Sequence, residues 1–235
     1  GSIRFLDALG VWPDVMPKAA PLETMRIIDD TGSLFRPPPV AFRAFEIGLD
    51  AFGWNIENAT LVEKLAAAAG RHENLTLIPH QAVGFTAGAD AATVALAEGG
   101  ALTGSLVVAA DGRNSKLRQA AGIETRTWSY PQSAVTALLA HERDHRDAST
   151  EFHTRHGPFT LVPLPGRRSS LVWVTRQEEA KRLAALDDES LALAIERQAQ
   201  SILGAMRIDG PRGLVPMSGL SVTRYGTGRL ALVGE

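Results

Sequence analysis

Residues 106–118 read LVVAADGRNSKLR. Leu106, Val107 and Val108 form a short apolar run of the kind that makes a buried strand. Asp111-Gly112 ends the run in a turn, and Asn114 and Ser115 supply N-cap chemistry for a helix through Lys116, Leu117, Arg118 and Gln119. A strand that stops at Asp-Gly and feeds a helix N-terminus brings backbone N–H groups and a carboxylate to one point. That arrangement suits a ligand carrying hydroxyls and phosphates. An ordinary strand-turn-helix corner uses the same residues, so the surrounding chain has to decide.

Working back from this stretch, residues 82–86, 93–97 and 102–109 read as strands separated by turns at Gly88, Gly99-Gly100 and Gly104. A short strand is expected at 75–79. Before it, Asn58 or Thr60 can cap a helix that carries Leu61, Leu65 and Ala69 on one face and ends at Gly70. Residues 22–29 read as a strand and 30–32 as a turn. Pro37, Pro38 and Pro39 forbid regular helix and point to an extended edge over 33–44. Residues 3–9 have helical spacing, and Pro13, Pro17 and Pro21 mark a connector. A helix, a meander and a buried apolar strand indicate an α/β layer with a mixed sheet.

Forward of the stretch the pattern changes. Residues 134–140, 151–154, 159–163 and 169–175 read as four strands of an antiparallel sheet. Helices are expected at 178–186 and 190–203, the second with Ser190 in a capping position. Residues 214–220 and 230–233 read as closing strands.

The composition narrows the function classes. The 235 residues carry a formal net charge of -2, so nothing in the overall electrostatics points to nucleic acid. The absence of cysteine excludes disulfides, thiolate metal ligands and a cysteine nucleophile, and it fits a reducing compartment. No stretch approaches the roughly 20 apolar residues of a membrane span. No Ser-His-Asp or Cys-His constellation appears. His141 to His145 spells H-E-x-x-H, the zinc-protease pattern, which needs both His one helical turn apart. Arg143 and Asp144 sit awkwardly beside a buried zinc, and 135–140 is as easily strand as helix. The expectation is therefore a solvated, charged loop that includes His153 and His156, with no metal ligands. Arg167, Arg168 and Arg207 read as surface charge. Phe159, Leu161 and Trp173 alternate on strands, where core packing is the commoner fate.

Taken together, the stretches at 5–12 (FLDALGVW), 21–32 (PLETMRIIDDTG), 53–65 (GWNIENATLVEKL), 106–123, 157–173 and 229–235 (RLALVGE) resemble the FAD-dependent aromatic hydroxylases. They are most similar to the branch that hydroxylates the ring of ubiquinone precursors. The D-G-x-x-S-x-x-R of Asp111, Gly112, Ser115 and Arg118 corresponds to the internal Asp-Gly motif of that family.

The resemblance implies a mixed α/β (α+β) fold. An FAD/NAD(P)-binding Rossmann-like domain would be built from 1–20, 56–126 and 216–235, interleaved with an antiparallel-sheet substrate domain from 21–55 and 127–215. It implies FAD as cofactor and NAD(P)H as co-substrate. Asp111 and Gly112 would line the flavin site, and Asn58 would reach the flavin's sugar-like chain. Val83 would lie in a strand that offers backbone groups to the adenine, and Glu235 would stand where the family has an Asp that accepts from the ribityl hydroxyls. Arg118 would brace the turn rather than touch the cofactor. The cofactor would carry the chemistry, so no catalytic acid or base is assigned. The implied substrate is a hydrophobic polyprenyl phenol, hydroxylated with O2. The implied setting is cytoplasmic, with peripheral association to the inner membrane or to a biosynthetic complex.

Two features depart from the family. No G-x-G-x-x-G pyrophosphate turn occurs, and the chain stops at Gly234-Glu235, with Glu in place of Asp. The expectation is a piece of a longer enzyme that binds FAD poorly and is inactive alone. The alternatives are a related flavoprotein of the same fold (a halogenase or reductase), a cofactor-free remnant, and the disfavoured zinc hydrolase.

Overall fold

A computed structural model describes residues 1–234. The chain divides into two compact units, one made of Gly1–Leu75 and Tyr130–Met217, the other of Thr76–Ser129 and 218–234. Residues 1–20 and 56–75, expected with the cofactor-side segments, cluster by contact with the first unit.

The chain opens with α1 (Ser2–Ala8) and α2 (Trp12–Val15), then β1 (Ala19–Leu22), β2 (Thr24–Asp30), β3 (Val40–Arg43), β4 (Gly53–Ile56) and α3 (Asn58–Gly70). Next come β5 (Ala82–Ala87), β6 (Ala92–Leu96), β7 (Ala101–Gly104), β8 (Val107–Ala109) and α4 (Lys116–Ala120). The rest is β9 (Thr125–His141), β10 (Ala148–Thr154), β11 (Gly157–Leu164), β12 (Arg168–Arg176), α5 (Gln177–Ala184), α6 (Asp188–Gln198), β13 (Met206–Val222), β14 (Gly226–Thr227) and β15 (Leu230–Leu232).

The first unit is organised by a seven-stranded sheet in the order β13-β9-β12-β11-β10-β2-β3. The antiparallel core β9-β12-β11-β10 comes from consecutive parts of the sequence, and β2 joins it parallel to β10. The triple proline leads into β3 at the sheet edge, where a missing N–H is tolerated. Strand alternation sorts the side chains. Val135, Ala137, Leu139, Phe159, Leu161, Leu171 and Trp173 point to one face and form a core with Ala180 and Leu183 of α5 and Leu191 and Ile195 of α6. Phe159 sits edge-to-face with both Phe152 and Trp173, at centroid distances of 5.6 and 5.2 Å. The opposite face carries Thr136, Leu138, Ala140, Arg168, Ser170 and Val172, none of them fully buried. The start of α3 shares a groove with part of that face.

The second unit holds a three-stranded meander, β5-β6-β7, and a small sheet, β14-β15-β8, in which β15 runs parallel to β8. Ala109, Leu117, Ile123 and Leu230 form its buried centre.

Several elements differ from the sequence reading. The expected strand at 75–79 has no regular structure: Leu75 and Leu77 are exposed, and Pro79 offers no N–H to a ladder. The run 102–109 is two strands in two sheets, broken at Ser105-Leu106. The second helix begins earlier than expected: Asp187 is its N-cap, accepting from the Ser190 N–H at 2.7 Å, so Ser190 is the capped residue and not the cap. β9 and β13 are each 17 residues long, more than twice the expected runs. The first seven residues of β9 are exposed and lack the alternation by which a strand is recognised, and the Gly-Pro-Arg-Gly sequence at 210–213 interrupts the pattern of β13.

Candidate functional site

In the second unit, β8 and β15 lie side by side and parallel, so the chain leaves both at the same end. Asp111-Gly112 follows β8 and Val233-Gly234 follows β15. The Val233 N–H donates to the Ala109 carbonyl at 3.0 Å, which extends the pairing to the strand ends. Between these exits is a crevice of about 620 Å³ lined by Asp111, Gly112, Arg113, Ser115, Arg118, Ser221, Tyr225 and Gly234 among others. In open parallel sheets, ligands bind outside the carboxyl ends of the strands.

The turn is tightly braced. Asp111 Oδ2 accepts from the N–H of Lys116 at 3.0 Å and of Leu117 at 3.4 Å. Ser115 is the N-cap of α4, its Oγ accepting from the Arg118 N–H at 2.9 Å. Partial burial of the Asp111 carboxyl opposes ionisation, but hydrogen bonds from the Ser115 side chain and the Leu117 and Lys116 backbone outweigh it and hold the pKa below the ordinary value. Arg118 is buried, and its Nη1 donates to the Arg113 carbonyl at 2.8 Å. The Arg113 guanidinium in turn donates to the carbonyls of Ser218 and Gly219, both at 3.2 Å. Arg118 therefore braces the turn, as expected from the sequence.

Two observations test whether a flavin nucleotide fits here. Arg118 Nε is buried and has no hydrogen-bond partner, which leaves a cationic donor for an oxygen of a ligand. Gly112 has φ of +75° and open space where a side chain would stand. The backbone conformation excludes most side chains, and a ligand can approach the peptide closely. Both fit a polyol or phosphate group.

The other expected contacts are dispersed. Val83 is in the second unit but does not line the crevice. It is the extra residue of a bulge, where the β5–β6 register shifts between Ala82 and Gly84. A bulged residue leaves backbone groups outside the ladder, so the backbone there is free to meet a ligand whatever the side chain. Asn58 belongs to the first unit and is the first residue of α3, not its cap: Glu57 occupies the N-cap position. Asn58 lines a groove of about 510 Å³ with Thr136, Leu138, Ser170, Pro211 and Arg212. Glu235 lies outside the described residues.

Glu142, Arg143 and Asp144 are exposed in a loop, as expected, but the two His of the H-E-x-x-H stretch are not. His141 ends β9 and His145 lies in the turn that follows, both buried. His141 Nδ1 is 2.7 Å from the Arg143 carbonyl and its Nε2 is 3.0 Å from Ser169 Oγ. His145 Nε2 is 2.8 Å from the Leu164 carbonyl, and its Nδ1 accepts from the Asp147 N–H at 3.0 Å. His145 thus donates through Nε2 and accepts through Nδ1, while His141 donates through Nδ1 and shares its Nε2 with a hydroxyl that can donate or accept. Burial, ahead of the other influences, lowers the His141 pKa. The pattern is a buried structural corner, with the two rings edge-to-face at 5.7 Å. His153 and His156 are both exposed, as expected, and His153 pairs with Glu151 at 2.8 Å.

Sequence reasoning also missed a charge cluster. Arg168, read as surface charge, donates Nη1 to Glu57 Oε1 at 2.6 Å and Nε to Asp209 Oδ2 at 2.7 Å. Glu57, Arg168 and Asp209 are far apart in sequence, and nothing short of the sheet register would have joined them.

Comparison with known proteins adds to this geometry. The family model described as the FAD binding domain matches residues 1–235. The ubiquinone hydroxylase UbiL of Rhodospirillum rubrum is 34% identical over 233 residues, covering 99% of this chain and 53% of that protein. The 3-demethoxyubiquinol 3-hydroxylase of Escherichia coli is 29% identical over 236 residues, covering 100% of this chain and 59% of that protein. The chain thus spans about half the length of the curated relatives it matches. Among solved structures, p-nitrophenol 4-monooxygenase PnpA of Pseudomonas putida superposes with a TM-score of 0.72 at 13% identity, covering 99% of this chain and 60% of that one.

Proposed function

The chain belongs to the FAD-binding domain family, and from that premise we propose that it is part of a flavin-dependent monooxygenase acting on the aromatic ring of a polyprenyl-phenol precursor of ubiquinone. The observation that carries the reading is the crevice at the joint carboxyl end of β8 and β15, where the Asp-Gly turn, the Arg118 donor and Gly234 meet. The likeness to two ubiquinone-pathway hydroxylases supports the substrate class, a hydrophobic phenol.

Bound FAD, reduced by NAD(P)H, would supply the electrons and the activation of O2. The residues of this chain bind and orient. Asp111 fixes the start of α4 and offers a carboxylate to flavin or nicotinamide hydroxyls. Gly112 gives close approach, and Arg118 holds the turn while presenting Nε. Val83 offers backbone groups to the adenine, Asn58 reaches the ribityl chain, and Glu235 accepts from its hydroxyls. We assign 1–20, 56–126 and 216–235 to the flavin side and 21–55 and 127–215 to the substrate side. Contact clustering follows packing, and this assignment follows ligand role. Among the described residues no helix is long and apolar enough to cross a membrane. The reading adds a peripheral association with the inner membrane, where a polyprenyl phenol dissolves, from the cytoplasmic side.

The test uses the full-length protein containing this chain. Stoichiometric flavin in the purified protein is expected, together with NAD(P)H-dependent O2 consumption stimulated by a short-chain polyprenyl phenol and a product heavier by one oxygen. Flavin-free protein, or oxidation of the nicotinamide with no oxygenated product, would refute the reading.

A further inference from the structure

The open face of the seven-stranded sheet carries one built charge arrangement. Arg168 stands at the first position of β12, opposite Ala140 of β9. Directly paired residues share a face, and β13 lies beyond β9. Strands β12 and β13 are two strand spacings apart, about 9–10 Å, so the Arg168 and Asp209 side chains meet above the intervening β9. The small side chain of Ala140 leaves room for that contact. The same guanidinium takes the carboxylate of Glu57. Glu57 occupies the N-cap position of α3 but makes no side-chain cap hydrogen bond to the helix. Glu is not among the short side chains that cap well from this position, and the Glu57 carboxylate turns to Arg168 instead. Asp209 is itself held by a second cation, with Arg207 Nη1 at 2.7 Å from Oδ1.

We propose that Arg168 is a positioning residue: anchored on Asp209, it holds Glu57 and so fixes where α3 begins and where Asn58 stands in the groove. This rests on the reading of Asn58 as a flavin-side residue. A guanidinium suits the task because its planar fork engages two carboxylates at once, which an ammonium does with less geometric constraint.

The experiment uses the full-length protein and the variants Arg168→Ala, Glu57→Ala, their combination and Arg168→Lys. Three quantities are read: flavin dissociation constant by fluorescence quenching, thermal midpoint, and amide hydrogen exchange over the first turn of α3. Arg168→Ala is expected to raise the flavin dissociation constant about tenfold, within the range that misplacement by an ångström produces, and to speed exchange at Ala59, Thr60 and Leu61. Glu57→Ala should do the same, and the double variant no more than either single one, because both remove one link. Arg168→Lys should recover part of the affinity. Multiplying effects in the double variant, or a lower thermal midpoint with unchanged affinity and exchange, would overturn the proposal. Wild-type protein that binds no flavin would strike only the functional reading. The exchange measurement still decides the clamp, since unaltered protection in Arg168→Ala refutes it.

Discussion

Along β12, Ser169, Leu171 and Trp173 point into the helix-covered core, while Arg168, Ser170 and Val172 point the other way and stay partly in solvent. The two sets share a backbone, a register and neighbouring strands, and they differ in what lies above them. Helices α5 and α6 seal the first face with Ala180, Leu183, Leu191 and Ile195. Part of the second face meets the start of α3 across a groove containing Thr136 and Ser170. Alternation along a strand therefore divides labour: one face is packed into the core, and the other stays partly polar and partly in solvent.

The comparison breaks first at its strongest point. Phe159→Ala removes a fully buried ring from the covered face and is expected to cost about 3–5 kcal/mol of unfolding free energy, measured by urea titration. A loss below about 1 kcal/mol would mean that this face is not close-packed. Asp111→Ala, in the crevice of the second unit, should act on ligand more than on fold. In the full-length protein it should weaken flavin retention or slow flavin reduction by about 1–3 kcal/mol equivalent. Wild-type flavin content and reduction kinetics would show that Asp111 only caps α4.

A smaller effect is expected with pH. His141 is buried neutral at the rim of the covered face, with its pKa lowered by burial. An unfolded imidazole takes up a proton near pH 6.5, before the folded one does. The unfolded state then binds more protons, so stability is complete above about pH 6.5 and falls as the pH drops through the lowered value. His141→Gln should flatten that part of a stability-pH curve, and an unchanged slope would exclude this origin. The smallest effect belongs to the open face: Val172→Ala should fall within about 0.5 kcal/mol of wild type. A core-sized loss there would erase the contrast between the faces.

How much of this was readable beforehand follows from range. The strand at 107–109, the Asp-Gly turn and the Ser115 cap rest on neighbours within a dozen residues, and the sequence displays them directly. The antiparallel strands of the seven-stranded sheet were legible because half-burial imposes alternation. Most failures needed distant partners: His141 and His145 read as a charged loop until Ser169 and Leu164 arrive from other strands. The Ser190 cap is the exception, since Asp187, three residues earlier, is an equally good cap residue and holds its N–H. Arg168 reads as surface charge because its two carboxylates come from residues 57 and 209. The crevice itself could not be read, since it exists only where β15 lies parallel to β8.

That parallel pairing, and the one between β2 and β10, set the order in which this chain can be made. Leu230 sits opposite Val107, and Ala148 opposite Thr24, so in each case more than half of the chain separates the partners. On a ribosome, β2 and β8 emerge long before the strands that complete their sheets. Neither unit closes until its late segment is out, and the early apolar strands must wait with their edges open. Pairings of this span slow folding and lengthen exposure to aggregation. A cell that makes this protein therefore pays for the crevice in time, and growth temperature and chaperone supply should govern its yield more strongly than its final stability does.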